Sequence, residues 1–178
     1  LFRSRRAPYD PTERSIVELQ EALASGRTSS VELTEAYLAR IAAYDHAGPN
    51  LNAMIRVNRA ARRDAAAMDA ERRAGKRRGP LHGIPIVLKD NYDTKDLITT
   101  AGSLALASHR PQKDAFVVQK LRDAGAVIIG KTNLHELASG ITSISSIGGQ
   151  TLNPYDPMRC PGGSSGGTRA AEIGRAHV

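Results

Sequence analysis

Apolar side chains recur at helical spacing through residues 11–75 and predict helices separated by turn signals. The first predicted helix spans residues 11–25, because Pro11 suits a first turn and Gly26 suits a helix end. Three apolar residues share its buried face: Ile16, Leu19 and Leu23. This face predicts that the helix packs on a core.

A second predicted helix starts with a capping-box pattern, in which Ser29 and Glu32 stand three positions apart. One apolar stripe follows it: Leu33, Tyr37 and Ile41. Residues 51–57 then alternate apolar and polar positions, which predicts a strand. Asn58 is a candidate cap for a third helix that runs through an alanine- and arginine-rich segment to Gly75.

Short apolar runs replace the helical pattern after residue 80. Residues 84–88 predict a buried strand that ends abruptly at Lys89, with Pro85 near its start. Residues 126–129 predict a second buried strand, central in its sheet, and helices are predicted at 116–124 and 134–139. Residues 140–149 show little periodicity. Helices that alternate with buried strands predict an α/β fold with helices covering a sheet.

Composition narrows the functional classes. The chain has 178 residues and a net charge of +7, and no apolar run is long enough to span a bilayer. Its single cysteine, Cys160, excludes an internal disulfide and a cysteine zinc site, and we predict a buried, inert thiol there. The histidines are scattered without paired ligand spacing, so we expect no metal and no cofactor.

The basic residues form clusters, but their surroundings do not favour nucleic-acid binding. The arginines of residues 59–73 interleave with alanines and acids at helical spacing, which indicates a solvated helix face. Aromatic side chains that could stack on bases are few, so we expect no nucleic-acid partner. No apolar signal segment precedes Arg3, and we favour a cytoplasmic location, with a signal peptide lost upstream of Leu1 left open.

Two features are candidates for chemistry. The block GGSSGG at residues 162–167 combines nucleophilic hydroxyls with glycines that allow close backbone approach. Lys89 stands at the end of an apolar strand, where burial favours the neutral amine that a base requires. Taken by itself, the block is only suggestive, because a flexible Gly/Ser linker has the same composition. Taken without Ser164, Lys89 is better interpreted as an exposed lysine at a strand end.

Residues 125–132 match the phosphate-loop pattern G-x-x-x-x-G-K-T. In that motif the four intervening residues form a loop between a strand and a helix. Here they are Ala, Val, Ile and Ile, which favour a strand, and the preceding segment reads as a helix. We therefore predict that Gly130, Lys131 and Thr132 form no phosphate cradle.

Residues 79–168 resemble the amidase-signature family. The resemblance rests on four segments in the family's order: GPLHGIPIVLKDN, TTAGS, LRDAGAVIIGKTNLHELASG and GGQTLNPYDPMRCPGGSSGGT. It implies a three-layer α/β/α fold around a central mixed sheet. The N-terminal helices at 16–74 fit the family more loosely.

The resemblance also implies a triad of a nucleophilic serine, a serine in a cis peptide and a lysine. The lysine falls on Lys89 and the cis serine on Ser164, while Ser165 supports the loop by hydrogen bonding and Gly163 and Gly166 flank the two serines. The implied activity is hydrolysis of a carboxamide C–N bond to a carboxylate and ammonia or an amine. The nucleophile is implied in an Asp-x-Gly-Gly-Ser stretch beyond residue 178.

The resemblance to the family implies a boundary near the end of the chain, after residue 171. Residues 1–171 read as the N-terminal portion of one amidase domain, with a helical segment at 11–75 and the signature core at 79–171. Residues 172–178 carry charges where the family has an apolar helix, and we interpret them as non-native read-through. We expect this chain alone to be inactive and poorly stable, with residues 126–129 at risk of forming an exposed edge strand.

Alternatives stay open for the substrate and the class of protein. We expect a small-molecule or peptide amide as substrate, and a homodimer of the full-length protein is an open option. A first alternative is the A-type subunit of a glutamyl-tRNA amidotransferase, although residues 142–154 lack the Ser-x-Glu pattern associated with it. A second is a non-catalytic or nucleotide-binding domain that uses Gly130, Lys131 and Thr132.

Overall fold

A computed structural model of the chain describes residues 7–172. Its five α-helices are α1 (Ile16–Ala24), α2 (Ser30–Tyr44), α3 (Ala61–Arg73), α4 (Phe116–Asp123) and α5 (Gly166–Ala171). Its five strands are β1 (Met54–Val57), β2 (Pro85–Lys89), β3 (Val127–Thr132), β4 (Ile144–Ser145) and β5 (Gly149–Gln150). Short 3₁₀ helices occupy Leu104–Leu106 and Glu136–Ala138.

Two capping boxes set the starts of the first two helices. The side chain of Ser29 accepts from the Glu32 N–H at the start of α2, as predicted. A second box, Ser15 with Glu18, starts α1 at Ile16, so the predicted start at Pro11 is wrong. Ile16 lies in this exposed first turn and is 47% exposed, whereas Leu19 and Leu23 are buried as predicted.

Asn58 acts near the start of α3 without being its N-cap. The N-cap is Ala60, which makes no side-chain capping bond. Asn58 Oδ1 accepts from the Ala60 N–H at 2.9 Å, while its Nδ2 donates to the Ile128 carbonyl at 2.7 Å. This side chain therefore ties the entry of α3 to β3.

The main sheet is mixed and has the order β1-β3-β2, with β3 antiparallel to β1 and parallel to β2. Every residue of β3 is buried, so the predicted central strand is confirmed. β1 pairs with residues 130–132, and Asn58 donates to the carbonyls of Ile128 and Ile129 beyond it. Because residues 127–129 are also buried, the expectation that residues 126–129 form an exposed edge is wrong. Pro85 is the first residue of β2, where its missing N–H is tolerated.

Helices cover both faces of this sheet. On one face Val127 and Ile129 pack with residues of α3, and side chains of α2 lie against that cluster. On the other face Leu88 and Ile128 pack with Val118 of α4. The three-layer α/β arrangement with a mixed sheet is therefore confirmed.

The segment after β3 departs from the predictions. The helix expected at 134–139 is a 3₁₀ turn, in which Leu137 and Ala138 have the positive φ values 53° and 57° that end helical geometry. Residues 140–149 contain β4 and the first residue of β5, which form a small antiparallel hairpin with Ile144 opposite Gln150. Cys160 lies in the exposed connection before α5, so the prediction of a buried thiol is wrong.

Candidate active site

Lys89 and Ser164 meet at the end of β2. The Lys89 Nζ donates to the Ser164 Oγ at 2.7 Å, although the two residues are 75 positions apart in the sequence. Lys89 is half-buried, and desolvation lowers the pKa of its amine below the ordinary value. The arrangement couples a hydroxyl to an amine that burial pushes towards its neutral, basic form.

The glycine–serine loop is fixed by the residues around it. The Gly163–Ser164 peptide bond is cis, and the Ser164 carbonyl accepts from the His135 N–H at 2.9 Å. The Ser143 hydroxyl donates to the Gly162 carbonyl at 2.6 Å. These two contacts hold the backbone on either side of the peptide that presents Ser164.

Gly163 and Gly166 allow the loop to lie against residues 141–143. A Cβ added at Gly163 would lie 2.9 Å from the Ile141 carbonyl oxygen. A Cβ added at Gly166 would collide with the side chain of Ser143. Both approaches are closer than real Cβ atoms make, so this packing requires glycine at the two positions.

Ser165 and α5 follow directly. The Ser165 carbonyl accepts from the Arg169 N–H at 3.1 Å, and its side chain makes no capping bond to α5. The helix is held on the sheet through the Gly167 N–H, which donates to the Asn133 carbonyl at 3.0 Å. Thr132 and Thr168 add a bond between their hydroxyls at 2.8 Å.

Behind the Lys89–Ser164 contact lies a second lysine, which belongs to a segment of the family resemblance but has no role in the triad that the resemblance implies. Lys131 is fully buried, and its Nζ lies 2.9 Å from the Asp90 Oδ1. Burial lowers the pKa of the Lys131 amine, and the Asp90 charge opposes that shift. The sequence signal at this lysine was the phosphate-loop match, which suggested a different role.

The phosphate-loop alternative is contradicted by the structure. Gly130, Lys131 and Thr132 belong to the buried strand β3, and a Cβ at Gly130 would lie 2.5 Å from the Arg56 carbonyl oxygen. Backbone N–H groups of these residues are engaged in the sheet, with Lys131 opposite Arg56 in β1 and Leu88 in β2. As predicted, the segment forms no phosphate cradle.

The described residues contain neither a candidate metal-binding cluster nor a candidate membrane-spanning helix. Within residues 7–172 no group of three or more His, Cys, Asp or Glu side chains could hold a metal ion. In that range no helix is long and apolar enough to cross a membrane. The proposed read-through residues 173–178 lie outside the described residues.

A mixed sheet between helical layers, with a lysine bonded to a cis-peptide serine, defines an amidase-type α/β domain. The sequence matches the family described as Amidase over residues 32–177, and the chain belongs to that family.

Curated relatives and solved structures agree with this assignment. The chain is 49% identical over 158 residues to the A-type subunit of the glutamyl-tRNA(Gln) amidotransferase of Thermobifida fusca (strain YX), covering 88% of this chain and 31% of that protein. It is similar to the native peptide amidase of Stenotrophomonas maltophilia, with a TM-score of 0.86 and 50% identity over 90% of this chain and 34% of that one. An amidase family protein from Bacillus anthracis str. Ames gives a TM-score of 0.82 and 37% identity, covering 88% of this chain and 32% of that one. The chain thus spans about a third of the length of these relatives.

Proposed function

We propose that the full-length protein hydrolyses a carboxamide and that this chain supplies the proton-transfer half of its active site. The observation that carries the proposal is the 2.7 Å contact between the Lys89 Nζ and the Ser164 Oγ. Membership in the amidase family and the likeness to a peptide amidase structure support the reaction class. The assignments of Lys89 and Ser164 as catalytic residues are part of the proposal.

The proposed reaction starts with neutral Lys89. Its amine takes the Ser164 hydroxyl proton while the Ser164 oxygen takes the proton of an attacking serine hydroxyl. The attacking oxygen bonds to the amide carbon, and the C–N bond breaks as the proton passes back to the leaving nitrogen. Water then repeats the sequence on the acyl ester, which yields a carboxylate and frees the serine. The attacking serine is proposed to lie beyond residue 178.

A small-molecule or peptide amide is the proposed substrate. The peptide-amide form of the proposal draws on the likeness to the Stenotrophomonas maltophilia enzyme. A cytoplasmic location, a homodimer and the absence of a nucleic-acid partner stay predictions from the sequence. So does the division of the chain into a domain at 1–171 and a non-native tail at 172–178.

The test measures ammonia release by the full-length protein from a peptide with a C-terminal carboxamide, with and without a chelator. Lys89→Met and Ser164→Ala should each lower the rate on the order of 10²–10⁴-fold, because each removes a proton-transfer group. Lys120→Met, a change at an exposed lysine of α4, is the control and should leave the rate unchanged. Activity that survives both site variants and disappears with the chelator would contradict the proposal.

A second candidate function is supply of ammonia from glutamine, as the A-type component of a glutamyl-tRNA(Gln) amidotransferase. The observation in its favour is the 49% identity to the Thermobifida fusca protein of that name. The same assay with L-glutamine separates the two candidates. The first candidate predicts a higher kcat/KM for the peptide amide, whereas the second predicts a higher kcat/KM for glutamine.

A further inference from the structure

The buried amine of Lys131 is surrounded by oxygen atoms of one loop. Besides the Asp90 carboxylate at 2.9 Å, the Lys131 Nζ donates to the Tyr92 carbonyl at 2.9 Å and to the Thr99 hydroxyl at 2.9 Å. The Thr94 hydroxyl lies at 3.2 Å. All four partners belong to the segment that follows Lys89, so a single side chain gathers this segment against β3.

Asp90, at the start of this segment, also forms hydrogen bonds with the residues at its far end. Its Oδ2 accepts from the Thr100 N–H at 3.0 Å, and its backbone carbonyl accepts from the Ala101 N–H at 2.9 Å. Its own N–H donates to the Thr132 carbonyl at 3.1 Å, which extends the pairing of β2 with β3 one residue beyond Lys89. The residue directly after Lys89 is therefore bonded on its backbone and its side chain.

A bulge in β3 places Lys131 on the face of the sheet that α4 covers. Ile86 pairs with Ile128 and Val87 pairs with Gly130, so Ile129 has no partner in β2. After this bulge Lys131 lies opposite Leu88, on the α4 face, while Thr132 lies opposite Lys89. The Lys131–Asp90 pair thus holds the end of β2 from the face opposite Ser164.

The hydrogen bonds continue from this pair to the serine loop. Ala101, which donates to the Asp90 carbonyl, accepts from the Leu137 N–H at 2.7 Å. Leu137 stands two residues after His135, whose N–H donates to the Ser164 carbonyl at 2.9 Å. Hydrogen bonds and short stretches of backbone therefore connect Asp90, the neighbour of Lys89, to the Ser164 loop.

We propose that Asp90 and Lys131 are positioning residues that hold Lys89 and Ser164 in proton-transfer contact from the reverse face of the sheet. The inference rests on the proposed function and adds to it two residues that touch neither the substrate nor the reacting atoms. The lysine of the phosphate-loop match is thereby assigned a role in amide hydrolysis.

The Asp90–Lys131 pair acts by keeping the Lys89 amine and the Ser164 hydroxyl within hydrogen-bond distance. Proton transfer requires heavy atoms within hydrogen-bond reach, and a misplacement of about 1 Å can cost about 10²-fold in rate. A loosened segment at 90–100 would also admit water to the Lys89 amine, whose pKa is lowered by burial. Loss of the pair is therefore expected to lower kcat and to raise the pKa of Lys89 towards its ordinary value.

The main test uses the double variant Asp90→Asn/Lys131→Met in the full-length protein. This variant avoids the unpaired buried charge that each single change would leave. We expect kcat for amide hydrolysis to fall by about 10–10²-fold with KM changed less than about threefold. The matched control is Asp69→Asn, which removes another buried carboxylate that accepts from the Ser30 and Val31 N–H groups and lies away from the site. It should leave kcat within about twofold of the parent.

A second measurement does not depend on activity. The pKa of Lys89 is obtained from the pH dependence of its acetylation by acetic anhydride, read by mass spectrometry. We expect a higher pKa in the double variant than in the parent and no change in Asp69→Asn. If the double variant does not fold, Thr99→Val, which removes one acceptor of Lys131, is expected to shift kcat and pKa in the same directions by a smaller amount.

A folded double variant with parental kcat and a parental Lys89 pKa would overturn the inference. If the parent protein releases no ammonia from any amide, the proposed function fails, and the pKa comparison still decides the positioning role. A raised pKa then supports that role, and an unchanged pKa rejects it.

Discussion

A lysine serves as a base only while its amine is neutral, and Lys89 has the surroundings that favour this form. Among the described residues 7–172 no neighbouring charge contributes to the shift of its pKa, which comes from burial at the end of β2. The loop that carries Ser164 is held on both sides, because the His135 N–H donates to the Ser164 carbonyl and the Ser143 hydroxyl donates to the Gly162 carbonyl. At the scale of single residues, the site therefore depends on side chains that fix the loop.

Ser143 is such a side chain. Ser143→Ala removes its 2.6 Å bond to the Gly162 carbonyl inside the fold, which should cost about 0.5–1.5 kcal/mol of unfolding free energy. It should also lower kcat by up to about 10²-fold, because the Ser164 loop loses its support. The measurements are denaturant unfolding and amide hydrolysis of the full-length protein. Ser146→Ala, at an exposed hydroxyl, is the control, and equal effects of the two changes would contradict this account of the loop.

Residues whose partners are distant in the sequence could not be assigned a role from local patterns. Lys89 and Ser164 came from the resemblance to a family, since each alone had an ordinary interpretation. Ser143 belongs to no motif, and Asp90 lies in a segment of the family resemblance that implies no role for it. Their partners become neighbours only when β3 and the loops pack. The prediction of a buried Cys160 is wrong for a similar reason, because the exposure of its thiol depends on how residues 153–161 cross the surface.

At the scale of elements, short polar patterns determine where helices begin. Both capping boxes in the described residues place a serine three positions before a glutamate. The Ser29 pattern predicts the start of α2 correctly, whereas Pro11 predicts a start of α1 that lies before the Ser15 cap. A proline suits a first turn, but it satisfies none of the free N–H groups there, whereas a capping box satisfies two.

The cap of α2 supports a direct prediction. Ser29→Ala should lower the unfolding free energy by about 0.5–2 kcal/mol, because the Glu32 N–H loses its acceptor. Ser29→Asn retains an acceptor at the cap and should restore most of the loss. Chemical denaturation of the full-length protein measures both. A serine-to-alanine change without effect, or one that asparagine does not correct, would show that the cap is not stabilising.

Strand β3 shows where local pattern and long-range packing agree. The apolar run in residues 126–129 predicted a central strand, and the β1-β3-β2 order confirms it. The bulge at Ile129 had no signal in the sequence, because it is defined only by pairing with β2. That bulge decides which face receives Lys131, so the fold could be predicted while the reverse side of the site could not.

At the scale of the whole molecule, α5 must lie close to the sheet for Ser164 to reach Lys89. Gly167 is the point of closest approach, since a Cβ there would collide with the carbonyl oxygens of Ala53 and Asn133. The glycines of residues 162–167 thus bring the serine loop to the end of β2. From composition alone, the same glycines would be interpreted as a flexible linker.

Gly167→Ala should therefore destabilise the fold by about 1–3 kcal/mol, the usual cost of overpacking. Thermal unfolding of the full-length protein should show a clear decrease in Tm. Gly79→Ala is the matched control and should lower Tm less, because its Cβ would meet the Ala124 backbone at 3.1 Å, a tight contact but longer than the 2.4 Å contacts at Gly167. If the two variants unfold at the same temperature, α5 does not pack as tightly as described.

The pH dependence of kcat/KM tests the central claim, that neutral Lys89 takes a proton through Ser164, most directly. Desolvation lowers the pKa of Lys89 from its ordinary value of 10.5, and only the unprotonated amine is active, so activity should rise with pH along a limb whose apparent pKa lies below 10.5. The account predicts that this limb is present in the parent protein and absent from the residual activity of Lys89→Met. A limb that stays at the same pH in Lys89→Met would show that another group is the base and would contradict the account.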